Sequence, residues 1–179
     1  MSLKPALDLG CGRAKRPGAI GMDKHGRTMA DVVADMDAPH LPFADGSFGS
    51  VYLTDSLEHA GDVWALMAEV ERILEDGGEV FVRVPHFSSL HAFSDFTHRH
   101  FFSYESIAGL TGAREVYGHY QRSGFELKSA RILMWRAWRV MGLEWLFNKV
   151  PGVYEKLFAF RFPAMALEFC LTKRGKSYI

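Results

Sequence analysis

Short apolar runs near the start of the chain each end on a glycine or an acidic residue, and this repetition limits the folds open to it. Ala6 to Leu9 runs into Gly10-Cys11-Gly12, Ala19 to Met22 ends at Asp23, Asp31 to Ala34 ends at Asp35, and Ser50 to Leu53 ends at Thr54-Asp55. Brief, unbroken apolar runs suit parallel strands buried in an α/β sheet. The runs deliver a glycine turn or a polar residue at their carboxyl ends, the edge where open α/β sheets place ligands.

The clearest helix follows the fourth run. Asp62 is placed to cap it, Val63, Leu66, Met67, Val70 and Leu74 recur at helical spacing, and Gly77-Gly78 stop it. Glu79 to Val84 then reads as the fifth strand, which makes a βαβ crossover of right-handed sense. The expected fold is therefore α/β, a Rossmann-like, doubly wound and mostly parallel sheet.

Downstream, Pro85 opens a histidine-rich stretch, His86 to Phe102. A short helix is expected from Ser103 to about Leu110, a strand from Phe125 to Ile132, and a last strand from Leu167 to Thr172. Between those strands lies a helical insertion, about 133–162, in which Met134, Ala137, Trp138, Met141 and Trp145 mark one helical face. Val153 to Phe160 reads as a second short helix.

The connections around the second run conflict with an ordinary Rossmann reading. Gly12 to Asp23 contains Pro17 and is shorter than the dozen or so residues of a normal parallel crossover. Lys24 to Ala30 is as short, so the amino-terminal helices must be reduced. One sheet face then loses its helical cover and would expose apolar side chains. Either the aromatic insertion, Met134 to Phe160, or a homodimer mate is expected to supply that cover.

Composition narrows the class. With 48% hydrophobic and 23% charged residues, the 179-residue chain reads as one globular domain spanning 1–179. Lys+Arg and Asp+Glu balance at 21 each and no basic stripe stands out, so no nucleic-acid partner is expected. Two cysteines, Cys11 and Cys170, form neither a disulfide framework nor a C-x-x-C site. The opening stretch holds Lys4, Asp8, Arg13, Lys15 and Arg16 rather than an apolar leader, so a cytoplasmic location is the expectation. Phe162 to Leu171 is broken by Glu168 and is too short to cross a bilayer.

Gly10 and Gly12 permit a tight turn and a close approach of backbone to ligand. The dinucleotide fingerprint requires a third glycine where Lys15 stands, which disfavours NAD. The run Asp8-Leu9-Gly10-Cys11-Gly12-Arg13-Ala14 instead resembles motif I, D-x-G-x-G-x-G, of the class I S-adenosylmethionine-dependent methyltransferases, with alanine in the last glycine place. Leu41-Pro42-Phe43, Asp45-Gly46-Ser47-Phe48, Leu57-Glu58-His59 and Arg72-Ile73-Leu74-Glu75-Asp76-Gly77-Gly78 are similar, in order, to the motifs of the family's type 11 branch. Val84-Pro85-His86-Phe87 and Asp95-Phe96-Thr97-His98-Arg99-His100-Phe101-Phe102 resemble a bacterial subgroup with a shortened first crossover and a D-P-T-H-x-H-F-F run, Phe96 replacing the proline.

This resemblance implies S-adenosylmethionine as cofactor and methyl transfer as reaction. It implies a cofactor set of Asp8, Leu9, Gly10, Cys11, Gly12, Asp23, Asp35, Met36 and Thr54. Asp23 stands at the ribose-binding position, where a carboxylate can accept from both hydroxyls of a diol. Asp35-Met36 stands at the adenine-binding position.

His59, His86 and His98 are the candidate acid/base residues, since imidazole titrates near neutrality. Phe87, Asp95 and His100 are the candidate substrate-binding residues. The histidine-rich loop leaves open a metal cluster, a hydrogen-bonded structural loop, or a substrate-facing loop. Its spacing matches no zinc pattern, so no metal is expected, and its position at the end of the fifth strand favours the substrate role. The aromatic residues from Trp135 to Phe162 read as core or oligomer interface, with a substrate lid or peripheral membrane contact left open.

The expected activity is transfer of a methyl group to a small-molecule, lipid-linked or saccharide-linked acceptor. Two rivals remain at this level: a methyltransferase-like scaffold that binds cofactor or a partner without turnover, and a histidine-loop metal enzyme.

Overall fold

The computed structural model describes residues 4–111 and 124–175. Seven strands form one sheet: β1 (Ala6–Leu9), β2 (Ile20–Asp23), β3 (Val32–Val33), β4 (Phe48–Thr54), β5 (Leu74–Pro85), β6 (Phe125–Met134) and β7 (Ala164–Lys173). Their spatial order is β3-β2-β1-β4-β5-β7-β6. The first five are parallel, and β7 runs antiparallel between β5 and β6. The expected Rossmann-like, mostly parallel sheet is therefore present, and chain order reverses at β1 and β4, where a ligand crevice opens.

Helix α1 (Val63–Ile73) forms because Asp62 Oδ1 accepts from the N–H groups of Trp64 and Ala65 at 2.8 and 3.1 Å. Leu66, Met67, Val70 and Ile73 give it a buried face. It ends earlier than Gly77-Gly78 suggested. Leu74 turns extended and starts β5, while Gly77, at φ +78°, lies in an irregular stretch of that strand. The glycines thus serve a distortion in the strand rather than a helix cap.

After β5 come α2 (Leu90–Ser94) and α3 (Tyr104–Leu110), the second capped reciprocally by Ser103 and Ser106. The insertion consists of α4 (Arg136–Val140), α5 (Leu143–Lys149), α6 (Pro151–Val153) and a wide π-type turn over Tyr154–Phe158. It does not present the single face expected of Met134 to Trp145. Met134 belongs to β6, and Gly142, at φ +77°, breaks the helix and leaves Met141 and Trp145 exposed.

Phe147 and Tyr154 anchor the insertion in the core, with ring centroids 4.7 Å apart. Glu144 accepts from the Met134 N–H and pairs with Arg131, and Asn148 bonds both the N–H and the carbonyl of Ile132. The insertion therefore packs on β6 and walls one side of the bare sheet face. A groove of about 1000 Å³ remains between it and Arg16, floored by Tyr52, Phe81 and Cys170.

Candidate functional site

The glycine turn after β1 is held by β2. Gly10 and Cys11 both donate N–H to the Met22 carbonyl, at 2.8 and 3.1 Å. Gly10 has φ +76°, and a Cβ there would lie 2.6 Å from Ser56 Cβ. Any side chain would force open the contact between this turn and the segment after β4.

Asp23 ties the surrounding loops together. Its Oδ2 accepts from Gly12 N–H at 3.0 Å and its Oδ1 from His25 N–H at 2.8 Å. Each oxygen keeps a second acceptor site, as a diol requires. A cleft of about 500 Å³ opens here, lined among others by Gly10, Asp23, Asp35, Met36, Ser56 and His59. Its size and convergent polar groups suit a ligand of cofactor dimensions.

The rest of the expected cofactor set acts differently. Asp8 is buried and accepts from Arg16 N–H at 2.7 Å, so it folds the short crossover and does not line the cleft. Leu9 offers its carbonyl to Ser56 Oγ at 2.9 Å. Cys11 packs towards Gly21, and burial, with Asp8 and Asp23 adding, pushes its thiol pKa up. Thr54 departs most. It lies in register with Arg83 and lines the groove on the bare face, because strand alternation turns it away from the cleft.

A second cavity, of about 420 Å³, adjoins the first, and Asp55 and His59 line both. Asp55 is the non-glycine residue with positive φ among the described residues, at 51°, and its N–H donates to the Arg83 carbonyl at 2.8 Å. Glu58 forms part of the wall and is only 1% exposed. Neither carboxylate oxygen has a hydrogen-bond partner among the described residues. Burial raises its pKa to about 7, with Asp55 and Asp95 adding and its own backbone N–H and Arg83 opposing.

Both nearby imidazoles are oriented by backbone. His98 Nδ1 lies 3.0 Å from the Ala92 carbonyl, and His59 Nδ1 lies 3.3 Å from the Thr97 carbonyl and 3.0 Å from its hydroxyl. A carbonyl only accepts, so Nδ1 carries a proton in each ring, and in the neutral imidazole the lone pair is then on Nε2. His98 Nε2 is 3.9 Å from Glu58 Oε1, and the two rings meet edge to face at 4.8 Å. Asp95 lines the same cavity, its carboxyl pKa lowered by the hydroxyl and N–H of Thr97.

His86 is a correction to the acid/base set. It is fully buried, Ser88 N–H donates to its Nδ1 at 3.1 Å, and its Nε2 meets Glu155 Oε1 at 3.1 Å. With both nitrogens engaged it fastens β5 to the insertion and has no route to a ligand. Phe87 packs on His86 and Phe160 outside both cavities, and His100 Nε2 bonds the Ala60 carbonyl at 2.9 Å, also outside them. Of the expected substrate set, only Asp95 lines the second cavity. Glu58 was missed as a site residue, although a carboxylate between apolar Leu57 and Ala60 is the kind of signal that marks burial.

The sheet order, the crevice and the acidic strand ends define the class I methyltransferase fold. Residues 17–82 match the family model described as a methyltransferase domain. The chain is similar, at 29% identity over 98 residues, to 27-O-demethylrifamycin SV methyltransferase of Amycolatopsis mediterranei, covering 52% of this chain and 35% of the relative. It is 38% identical over 72 residues to malonyl-[acyl-carrier protein] O-methyltransferase of Geobacter sulfurreducens, covering 40% of this chain and 26% of that one. The matches thus span about a third and a quarter of those relatives' lengths.

Among solved structures, a SAM-dependent methyltransferase from Archaeoglobus fulgidus superposes with a TM-score of 0.68 at 15% identity, covering 96% of this chain and 87% of that one. A phosphoethanolamine N-methyltransferase from Haemonchus contortus, solved with S-adenosyl-L-methionine, gives 0.62 at 17% identity, over 98% and 50%. At these identities the likeness is one of fold.

Proposed function

We propose that the chain binds S-adenosylmethionine in the cleft beside Asp23 and methylates a small-molecule acceptor, free or carried on a lipid or saccharide, seated in the adjoining cavity. The observation that carries this reading is the shared wall: Asp55 and His59 line both spaces, so two ligands would meet there. When bound, the cofactor supplies a methyl group already activated on a sulfonium. The protein's part is then alignment and exclusion of water.

Asp23 would accept from the ribose diol, and Asp35 with Met36 would meet the adenine. Gly10 would let the turn lie close to the ligand. His59, His98 and Glu58 supply acceptor atoms at the second cavity and can take a proton from an acceptor that must lose one. The likeness of the fold to methyltransferases, and the match over 17–82, support the same reading.

Calorimetric titration with S-adenosylmethionine, its demethylated product and NAD as control tests it. Saturable binding of the first two alone is expected, and Asp23→Ala should weaken it about 10- to 100-fold, the worth of charge-assisted hydrogen bonds. No binding of either sulfur ligand would overturn the reading in favour of a non-catalytic scaffold.

A further inference from the structure

Two side chains that line the second cavity hold buried polar atoms without a hydrogen-bond partner among the described residues: both carboxylate oxygens of Glu58, and Nε of Arg83. An ionised or polar group withdrawn from water without partners is costly, and native structures avoid it unless a ligand completes the site. Around the Glu58 carboxylate, Nε2 of His59 and of His98 is an acceptor in the neutral imidazole, while the Arg83 guanidinium is a donor. The Ala92 and Thr97 carbonyls hold the Nδ1 protons of His98 and His59, which fixes both Nε2 lone pairs on the cavity side. Backbone or carboxylate acceptors behind metal-bound imidazoles set tautomer and ring orientation in this way.

Charge points to a cation. Asp55, Glu58 and Asp95 line the cavity against Arg83, whose Nε lies 3.7 Å from Asp55 Oδ1. The donor atoms of Glu58, His59 and His98 all lie within 4.8 Å of one another. Nitrogen and oxygen ligands at about 2.1 Å from one ion are roughly 3.4 Å apart, so closure needs side-chain shifts on the order of 1 Å. The carboxylate is free to make them, since no hydrogen bond restrains it.

We propose that Glu58, His59 and His98 form a binding site for one divalent first-row metal ion, with Asp55 at its rim. Two imidazoles and a carboxylate are the donor set that such ions select over calcium, and three protein ligands leave positions open towards the cavity. The ion's binding does not require the methyl-transfer reading. With the ion in place, the Nε2 and carboxylate atoms hold it instead of taking a proton, and only its use there, to bind the acceptor, rests on that reading.

The test uses the full chain without a histidine tag, freed of metal with a chelator and titrated with Co²⁺, Mn²⁺ and Zn²⁺ salts alone. One ion per chain is expected for at least one of them, with a Co²⁺ visible spectrum of fewer than six ligands. Glu58→Gln and His98→Ala should each weaken binding by about 100-fold or more, while His91→Ala, in the same cavity, leaves it within about twofold. Circular dichroism and S-adenosylmethionine titration on each variant separate loss of the ion from loss of the fold or of the neighbouring cleft. Absence of saturable binding by all three ions, or binding unchanged in the Glu58→Gln/His98→Ala double variant, would overturn the proposal.

Discussion

Rows of residues in register across the sheet differ sharply between its two faces. On one face, Leu7, Val51, Val80 and Leu171 form a row that is completely buried beneath the elements including α1 and α3. On the other, Asp8, Tyr52, Phe81, Cys170 and Ser129 align, and beyond them Thr54, Arg83, Glu168 and Arg131. The short crossover covers part of this second face without a helix: Arg16 lies 3.9 Å over the Tyr52 ring, which stacks on Phe81 at 4.9 Å. Reduced crossovers were expected to expose apolar side chains, and the face has instead become aromatic and charged. A parallel sheet can lose a helical layer when the strands that lose it take up the alternation of a half-exposed sheet.

The contrast can be broken or sharpened by measurement. Ile73→Ala, on the covered side, should cost about 3 to 4 kcal/mol in urea unfolding, the usual range for a buried aliphatic, whereas Phe81→Ala should cost about half as much. Equal losses would mean that the groove face is sealed in solution. In metal-free protein, Glu58→Gln should stabilise the fold by about 3 kcal/mol at pH 8 and have little effect near pH 4. The sign follows from the raised pKa: Glu58 keeps its proton in the folded state up to about 7, so stability is lost as pH climbs from 4.5 through 7.

Glu69 has the opposite sign. Its hydrogen bonds with Arg72 first, and the Leu41 N–H and His40 after them, hold its pKa down at about 2 despite partial burial. Its contribution is full above 4.5 and disappears as pH falls through about 2. Glu69→Gln should therefore cost about 1 kcal/mol at pH 7, after allowing for solvent screening, and nothing near pH 1.5. Arg16→Ala should remove only about 0.5 to 1 kcal/mol, the worth of an exposed cation–π contact, read by thermal unfolding.

Much of this was legible in the chain. Leu7-Asp8-Leu9-Gly10 gave both the strand and the turn, because only a glycine accommodates that backbone and contact, and Asp62 declared the start of α1 by its capping geometry. The alternation Val80-Phe81-Val82-Arg83-Val84 already carried the half-exposed face. Long-range pairing was harder to read. His86 resembled a loop histidine until Glu155, far along the sequence, arrived at its Nε2. The insertion's spacing looked continuously helical, and local periodicity did not reveal that Gly142 would adopt φ +77°. Glu58 was only partly legible: apolar Leu57 and Ala60 beside it mark a buried stretch, but the cavity it faces is completed by residues far along the chain, among them His98 and Ala166.

The antiparallel strand β7 has a further consequence during synthesis. β6 pairs only with β7 among the described strands, and β5 completes its second edge with the same segment. Until residues 164–173 leave the ribosome, β1 to β5 can assemble while β6, with the insertion packed on it, has no strand to pair with, and the outer edge of β5 stays open to any passing strand. Shielding of nascent chains by a chaperone would therefore matter most over the interval in which the ribosome translates the insertion.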